Sequence, residues 1–275
     1  MSDDLPSLRD LLEANGLWAN KGLGQHFLLD MNITRRIATA AGDLAGAPVI
    51  EIGPGPGGLT RALLEAGADP LIVIEKDKRF LPLLEPLDDW SGGRLNIIEG
   101  DALEVDEASL LGAAPRAHIV SNLPYNVGTP LLIKWLKAPA WRGAMTLMFQ
   151  KEVAERIVAK PGSNAYGRLA VLAQSVCDAR FVLHVPARAF TPPPKIASAV
   201  VHLTDKAERY ADLGALERVT AAAFGQRRKM LRSALKSLTP EAEALLERAG
   251  IKPTARAEEI DVTDFQRLAD TWRAA

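Results

Sequence analysis

One cysteine in 275 residues leaves no disulfide framework and no Cys/His metal spacing. Cys177 lies in an apolar-periodic stretch and reads as a core residue, so a reducing, cytoplasmic home is expected. No apolar run is long enough to span a bilayer, and no secretory signal is visible over Met1–Asp10, so no membrane is expected as a partner. Internal repeats and low-complexity segments are absent too. Acid is missing from one stretch: between Arg218 and Pro240 stand Arg218, Arg227, Arg228, Lys229, Arg232 and Lys236, with no Asp or Glu among them.

What is present is the composition of a globular chain, 48% apolar, long enough for one large core or for a core with a small second domain. A net charge of −1 hides an asymmetry. Residues 1–120 carry 10 Lys/Arg against 19 Asp/Glu, residues 121–204 carry 10 against 3, and residues 205–275 carry 13 against 12. The basic middle is where a polyanion would be steered, although a charge run is more often a solvated face.

Short buried strands alternate with helices from Pro48 onward. Strands are expected at Pro48–Glu51, Leu71–Ile74, Leu95–Ile98, Ala117–Val120 and Ala144–Phe149, and a late hairpin at Arg180–Val185 and Ala197–Leu203. Such alternation predicts an α/β fold with a Rossmann-like, doubly wound, mostly parallel sheet of seven strands. After Thr204 only helices are expected, at about Leu213–Phe224, Arg227–Leu238, Glu241–Ala249 and Thr263–Arg273. A boundary near 205 therefore separates residues 1–204 from a small all-helical domain, 205–275. Residues 1–42 form an extension whose Lys21–Leu28 stretch, with two glycines, reads as a loop lying over a site.

The stretch Ser121-Asn122-Leu123-Pro124-Tyr125-Asn126 follows the fourth strand, at the sheet edge where open α/β folds bind ligands. Thr129 reads as the cap of the next helix and Pro130 as its first residue. Asn122 offers a side-chain acceptor, Leu123 and Pro124 offer carbonyls, and Tyr125 offers a ring face. Together they suit a planar group carrying an NH2, with adenine the obvious candidate. Taken alone, the same four residues also read as an ordinary loop.

Gly53, Gly55 and Gly58 fit G-x-G-x-x-G, and Glu75 stands 20 residues beyond Gly55, where an acid meets ribose hydroxyls. A dinucleotide is one candidate. Pro54 and Pro56 remove N–H donors that a pyrophosphate needs, and Glu51, Glu75 and Asp101 repel phosphates while suiting a sulfonium ligand. S-adenosylmethionine is therefore the expected cofactor, with no metal.

Glu51–Gly55, Val73–Glu75, Gly100–Ala102, Asn122–Tyr125 and Phe190-Thr191-Pro192-Pro193-Pro194-Lys195 stand in the order and spacing of the rRNA adenine N6,N6-dimethyltransferases, which the chain resembles from about Lys21 to Trp272. Gly24–Leu28 and Gln226–Lys229 match as well, and the small-subunit (16S) type is the nearest. One departure is His26, where many members have Asn.

The resemblance implies a class I methyltransferase fold and an RNA-binding helical domain with Arg227, Arg228 and Lys229 as contacts. It implies dimethylation of two neighbouring adenosines in the 3′-terminal stem-loop of 16S rRNA, with an added part in small-subunit assembly. His26 and Leu28 would line the methionine side of the cofactor and Gly53 would lie against it. Glu75 would hold the ribose, Asp101 the adenine, and Asn122 would border cofactor and substrate.

In the mechanism expected from these parts, the Asn122 side-chain oxygen and the Pro124 carbonyl bind the target amine, and Tyr125 and Phe190 sandwich the base. A plug beneath the loop is the plainer role for Phe190. A monomer is expected. Rival readings are methylation of large-subunit rRNA, of DNA adenine or of protein glutamine, a largely non-catalytic assembly factor, and a dehydrogenase.

Overall fold

Short polar caps open the first two long helices of the structure, a computed structural model that describes residues 5–17, 26–112, 114, 116–138 and 141–275. Ser7 Oγ accepts from the Asp10 N–H at the start of α1 (Leu8–Ala14), and Asp30 accepts from the Asn32 N–H at the start of α2 (Met31–Ala40). The two-residue strand β1 (Phe27–Leu28) lies between them. Lys21–Gln25, expected to form part of a covering loop, lie outside the described residues.

The central run then alternates: β2 (Val49–Ile52), α3 (Gly58–Glu65), β3 (Leu71–Glu75), α4 (Leu81–Ser91), β4 (Leu95–Glu99), α5 (Glu107–Leu110), β5 (Ala117–Asn122), α6 (Gly128–Leu136), β6 (Arg142–Gln150). Every residue of β2 and β3 is buried, the burial expected of parallel strands covered on both faces. Next come α7 (Lys151–Ile157), α8 (Arg168–Val176), β7 (Cys177–Val185), the two-residue β8 (Phe190–Thr191) and β9 (Ser198–Asp205). Four helices follow: α9 (Leu213–Gly225), α10 (Leu231–Ala234), α11 (Ala242–Arg248) and α12 (Val262–Arg273).

Seven strands form one sheet in the order β4-β3-β2-β5-β6-β9-β7. The pairs from β4 through β6 are parallel, and β9 runs antiparallel to β6. The chain winds outward from β2 to β4, then returns to β5 on the other side of β2. That reversal is the switch point at which doubly wound sheets open a crevice. The sequence expectation of a seven-stranded, mostly parallel sheet agrees with this topology. β1 and β8 form a separate antiparallel pair, Phe27 opposite Thr191 and Leu28 opposite Phe190.

By packing, the chain falls into two units, residues 1–154 with 181–203, and residues 155–180 with 204–275. The second unit thus takes a segment ahead of the single boundary read near 205. In its interior Tyr166 is fully buried and meets Phe224 edge-on at 6.0 Å, and Phe224 lies 5.3 Å from Phe265. Arg168 of α8 also pairs with Glu217 of α9 at 2.8 Å. A burial pattern tells which face of α8 is apolar, not which neighbour covers it.

The expected helix Arg227–Leu238 is corrected. Arg227–Lys229 lie on a turn closed by the Lys229 N–H donating to the Gln226 carbonyl, and Met230 is extended and bridges to Arg256. Helix resumes only at Leu231.

Candidate active site at the carboxyl edge of the sheet

β2 ends at Ile52 and the chain turns at Gly53, whose φ of +63° is open to glycine at little cost. A Cβ there would stand 3.3 Å from Pro124 Cγ, so the glycine loop and the Asn122–Tyr125 tetrad lie in contact. A Cβ on Gly58 would stand 2.7 Å from the carbonyl oxygen of Leu28. The missing side chain lets β1 lie directly on the start of α3.

Two carboxyls face this corner. Glu51 is buried and accepts from Thr60 Oγ1 at 2.7 Å. Burial pushes it up to about 8, the Thr60 hydrogen bond opposes that rise, and nearby Glu75 adds to it. Glu75 accepts from the Gly55 N–H at 3.0 Å with one oxygen and from the Asp77 N–H at 2.8 Å with the other. Burial raises its carboxyl too, against these backbone donors.

The tetrad is fixed from several sides. Ser121 Oγ donates to the Ile52 carbonyl at 2.7 Å, tying the ends of β5 and β2 together. Tyr125 Oη lies 2.7 Å from Ser198 Oγ, and its ring is 5.9 Å from that of His26, tilted by 34°. His26 Nδ1 donates to the Pro192 carbonyl at 2.8 Å; a carbonyl only accepts, so the proton sits on Nδ1. The imidazole therefore joins the front segment to the proline-rich one.

Two sequence expectations change here. Thr129 does not cap α6: the helix begins at Gly128, because the Val127 and Gly128 N–H groups both donate to the Pro124 carbonyl, at 3.1 and 3.0 Å. That carbonyl, read as an acceptor for substrate, is thereby committed to the helix start. The Leu123 carbonyl and the Asn122 side chain have no hydrogen-bond partner among the described residues.

His26, Leu28, Gly53, Glu75, Asn122, Pro124, Tyr125 and Phe190 line one cavity, together with Glu51. Phe190 is only 2% exposed and packs in the core with Leu28, so the ring is a wall of the cavity and also the plug beneath the loop. Asp101 is not part of this lining. It follows β4, where its carboxylate accepts from the Leu103 N–H at 3.0 Å and from Lys76 Nζ at 2.7 Å. The Lys76 hydrogen bond chiefly holds it below the usual carboxylate range.

The sequence reading missed Phe80, which lines the cavity and meets Phe27 edge-on at 5.4 Å. Its signal was an apolar residue closing the charged run that starts at Glu75.

Among the described residues no Lys or Arg lines the cavity, whereas two carboxyls do. That donor set suits a cationic ligand such as a sulfonium and opposes a pyrophosphate. Among the described residues no helix is long and apolar enough to cross a membrane.

In the second unit, Arg227 pairs with Glu258 at 2.7 Å and donates to the Ser163 carbonyl at 3.3 Å. Arg228 and Lys229 are exposed. Of the three cations read as RNA contacts, the first is thus built into the fold.

The family model described as ribosomal RNA adenine dimethylase matches residues 16–273. The chain is 61% identical to the ribosomal RNA small subunit methyltransferase A of Phenylobacterium zucineum (strain HLK1), over 99% of this chain and 94% of that protein. To the protein of the same name from Maricaulis maris (strain MCS10) it is 56% identical, over 99% and 97%. Among solved structures, a dimethyladenosine transferase from Plasmodium falciparum superposes with a TM-score of 0.76 at 26% identity, covering 88% of this chain and 96% of that one. The 23S rRNA methyltransferase ErmE gives a TM-score of 0.67 at 25% identity, covering 90% and 99%. Matched almost from end to end, and more than half identical to proteins so named, the chain belongs to the ribosomal RNA adenine dimethylase family.

Proposed function

We propose that this chain transfers methyl groups from S-adenosylmethionine to N6 of two adjacent adenosines in the 3′-terminal stem-loop of 16S rRNA, in the small ribosomal subunit, giving N6,N6-dimethyladenosine. The observation that carries the reading is a pair of acceptors without a partner among the described residues, the Asn122 side-chain oxygen and the Leu123 carbonyl, beside the Tyr125 ring on one cavity.

When bound, S-adenosylmethionine supplies an electrophilic methyl group on a positively charged sulfur. Glu75 holds its ribose hydroxyls, Asp101 its adenine, and the Gly53 backbone, His26 and Leu28 its methionine side. Glu75 supplies negative charge that a sulfonium favours, while Glu51 holds its proton in the buried corner.

The N6 lone pair of adenine is delocalised into its ring, so the amine is a poor nucleophile. The Asn122 oxygen and the Leu123 carbonyl accept its two hydrogens, draw the nitrogen toward tetrahedral geometry and aim its lone pair. Positioning and fixed dipoles are the chain's main contribution. A methylated, charged amine is acidic enough to release its proton to water, so no strong base is required. In the second round one hydrogen remains, and one acceptor suffices to hold it. The target base leaves its stack to reach the cavity. Tyr125 stacks on one face, and Phe190 closes the other side as the cavity wall.

The helical unit, residues 155–180 with 204–275, binds RNA through exposed cations such as Arg228 and Lys229. Occupancy of immature small subunits gives the protein an added role in assembly. It works as a monomer in the cytoplasm, without a membrane.

The test uses tritiated S-adenosylmethionine with unmethylated small subunits, large subunits, naked rRNA and DNA in parallel, followed by nucleoside analysis. Label in N6,N6-dimethyladenosine from small subunits alone is expected. Label in large-subunit RNA or DNA keeps the chemistry and overturns the target. No label, with cofactor still bound, leaves the assembly role alone.

A further inference from the structure

Lys134 lies on α6, the helix that begins three residues after Tyr125. Its Nζ donates to the Ala102 carbonyl at 2.8 Å, to the Val105 carbonyl at 2.6 Å and to the Glu107 carboxylate at 2.9 Å. An ammonium has three donors, and all three are used. Glu107 is itself buried and also accepts from the indole N–H of Trp135, the next residue of α6, at 2.9 Å.

The segment so gripped is the one that presents Asp101. Within it the Asp101 carbonyl accepts from the Glu104 and Val105 N–H groups, and the Asp101 carboxylate accepts from the Leu103 N–H. These bonds fold residues 101–105 into a turn, but none ties that turn to the sheet. Two lysines supply the ties: Lys76, directly after β3, holds the Asp101 carboxylate, and the half-buried Lys134 holds the carbonyls of Ala102 and Val105 from the neighbouring helix.

We propose that Lys134 is a positioning residue for the cofactor: it sets the Asp101 turn where the adenine is held, and through α6 couples that turn to the substrate tetrad. The proposal rests on the reading of Asp101 as the adenine contact. Lys134 stands six positions after Gly128 on α6, a rise of about 9 Å. One rigid element therefore carries both the Gly128 N–H that holds the Pro124 carbonyl of the tetrad and the clamp on the cofactor turn. Arg would not replace Lys here, because a planar fork cannot direct three donors to acceptors converging on one point.

The experiment measures the affinity of S-adenosylhomocysteine and of adenosine by calorimetry for the full chain, for Lys134→Met and for Asp101→Ala. Amide hydrogen exchange and saturating-cofactor turnover are read on the same samples. In Lys134→Met both ligands should bind at least tenfold more weakly, and the amides of Leu103, Glu104 and Val105 should exchange faster. At saturating cofactor kcat should stay within about threefold, so that the defect falls on KM. Lys134→Met with Glu107→Gln is the second variant; it removes the carboxylate that the first leaves buried without its cation, and it should show the same split. Unchanged affinity in both variants, with Asp101→Ala impaired, overturns the role of Lys134 and keeps that of Asp101. Unchanged affinity in Asp101→Ala overturns the reading beneath it as well.

Discussion

The hydroxyl of Tyr125 and the Oγ of Ser198 lie 2.7 Å apart, joining the end of the tetrad to the first residue of β9. Ser198 is fully buried, so the phenol is anchored by a group that water cannot replace. Tyr125→Phe keeps the ring and loses the anchor, and is expected to lower kcat/KM by about fivefold, the value of one ordinary hydrogen bond. Ser198→Ala should match it, and the double variant should be little worse than either, since both remove the same bond. Tyr125→Ala also removes a stacking face worth roughly 1–3 kcal/mol, and its loss should appear mainly in KM for RNA. Steady-state kinetics on unmethylated small subunits measures all four.

Asn122→Ala removes one of the two acceptors that have no partner among the described residues, and disturbs no hydrogen bond among them. Turnover should fall by roughly 10²–10³-fold, as for removal of a single pre-aimed polar group at a reacting centre. The melting temperature should be unchanged. A folded Asn122→Ala protein that turns over at the normal rate would sink the proposed mechanism.

His26 donates from Nδ1 to the Pro192 carbonyl. An Asn side chain also carries an N–H donor, so His26→Asn should keep activity near that of the parent. His26→Ala cannot donate and should lose about fivefold in kcat/KM. Equal activity in both variants would show that the link to Pro192 does not matter.

Glu51 is held up to about 8 by burial, so in the folded chain it keeps its proton where the unfolded chain has released it. The folded state then binds more protons than the unfolded state between the two values. Its contribution is fully present below about 4.5 and is lost as pH rises toward 8. Glu51→Gln cannot ionise. Its melting temperature should equal that of the parent near pH 4 and exceed it near pH 9 by roughly 5 °C or more. Calorimetric scans at both values decide the matter, and identical pH profiles would show that Glu51 is not held protonated.

Arg228 and Lys229 are exposed, while Arg227 is paired with Glu258. Replacing Arg228 and Lys229 together by Ala should reduce the slope of log K against log salt for RNA by roughly 1–2. Arg227→Ala should instead lower the melting temperature slightly, because a partly exposed ion pair contributes about 1 kcal/mol or less. Filter binding across a salt series separates the two effects.

The sheet was legible because β2, β3 and β5 are apolar runs closed by Gly, Glu and Asn at the same edge. The glycine loop and the tetrad carried the site for the same reason: each residue type has one clear use there. The start of α6 was not legible, since it depends on two N–H groups turning back to Pro124 rather than on a capping side chain. The β1–β8 pair was missed because strands of two residues have no period to read, and Phe80 because it stands on a single 3-10 turn after Asp77. Lys134 looked like any cation on a helix; its three acceptors come from residues about thirty positions earlier. The turn at Arg227–Lys229 escaped because Met230 pairs with Arg256, a partner that local propensity cannot name.

The pairing of β1 with β8 also has a meaning in time. His26 and Pro192 are 166 residues apart in the chain, and their hydrogen bond joins two segments that line the cavity through His26 and Phe190. At about 5–20 residues per second, the ribosome needs roughly ten to thirty seconds to pass from one to the other. β2 through β5 can pair during that interval, but the cavity has no Phe190. A nascent chain can therefore own most of its sheet before it can enclose a ligand. The first turnover of each new molecule waits on the late arrival of its proline-rich segment.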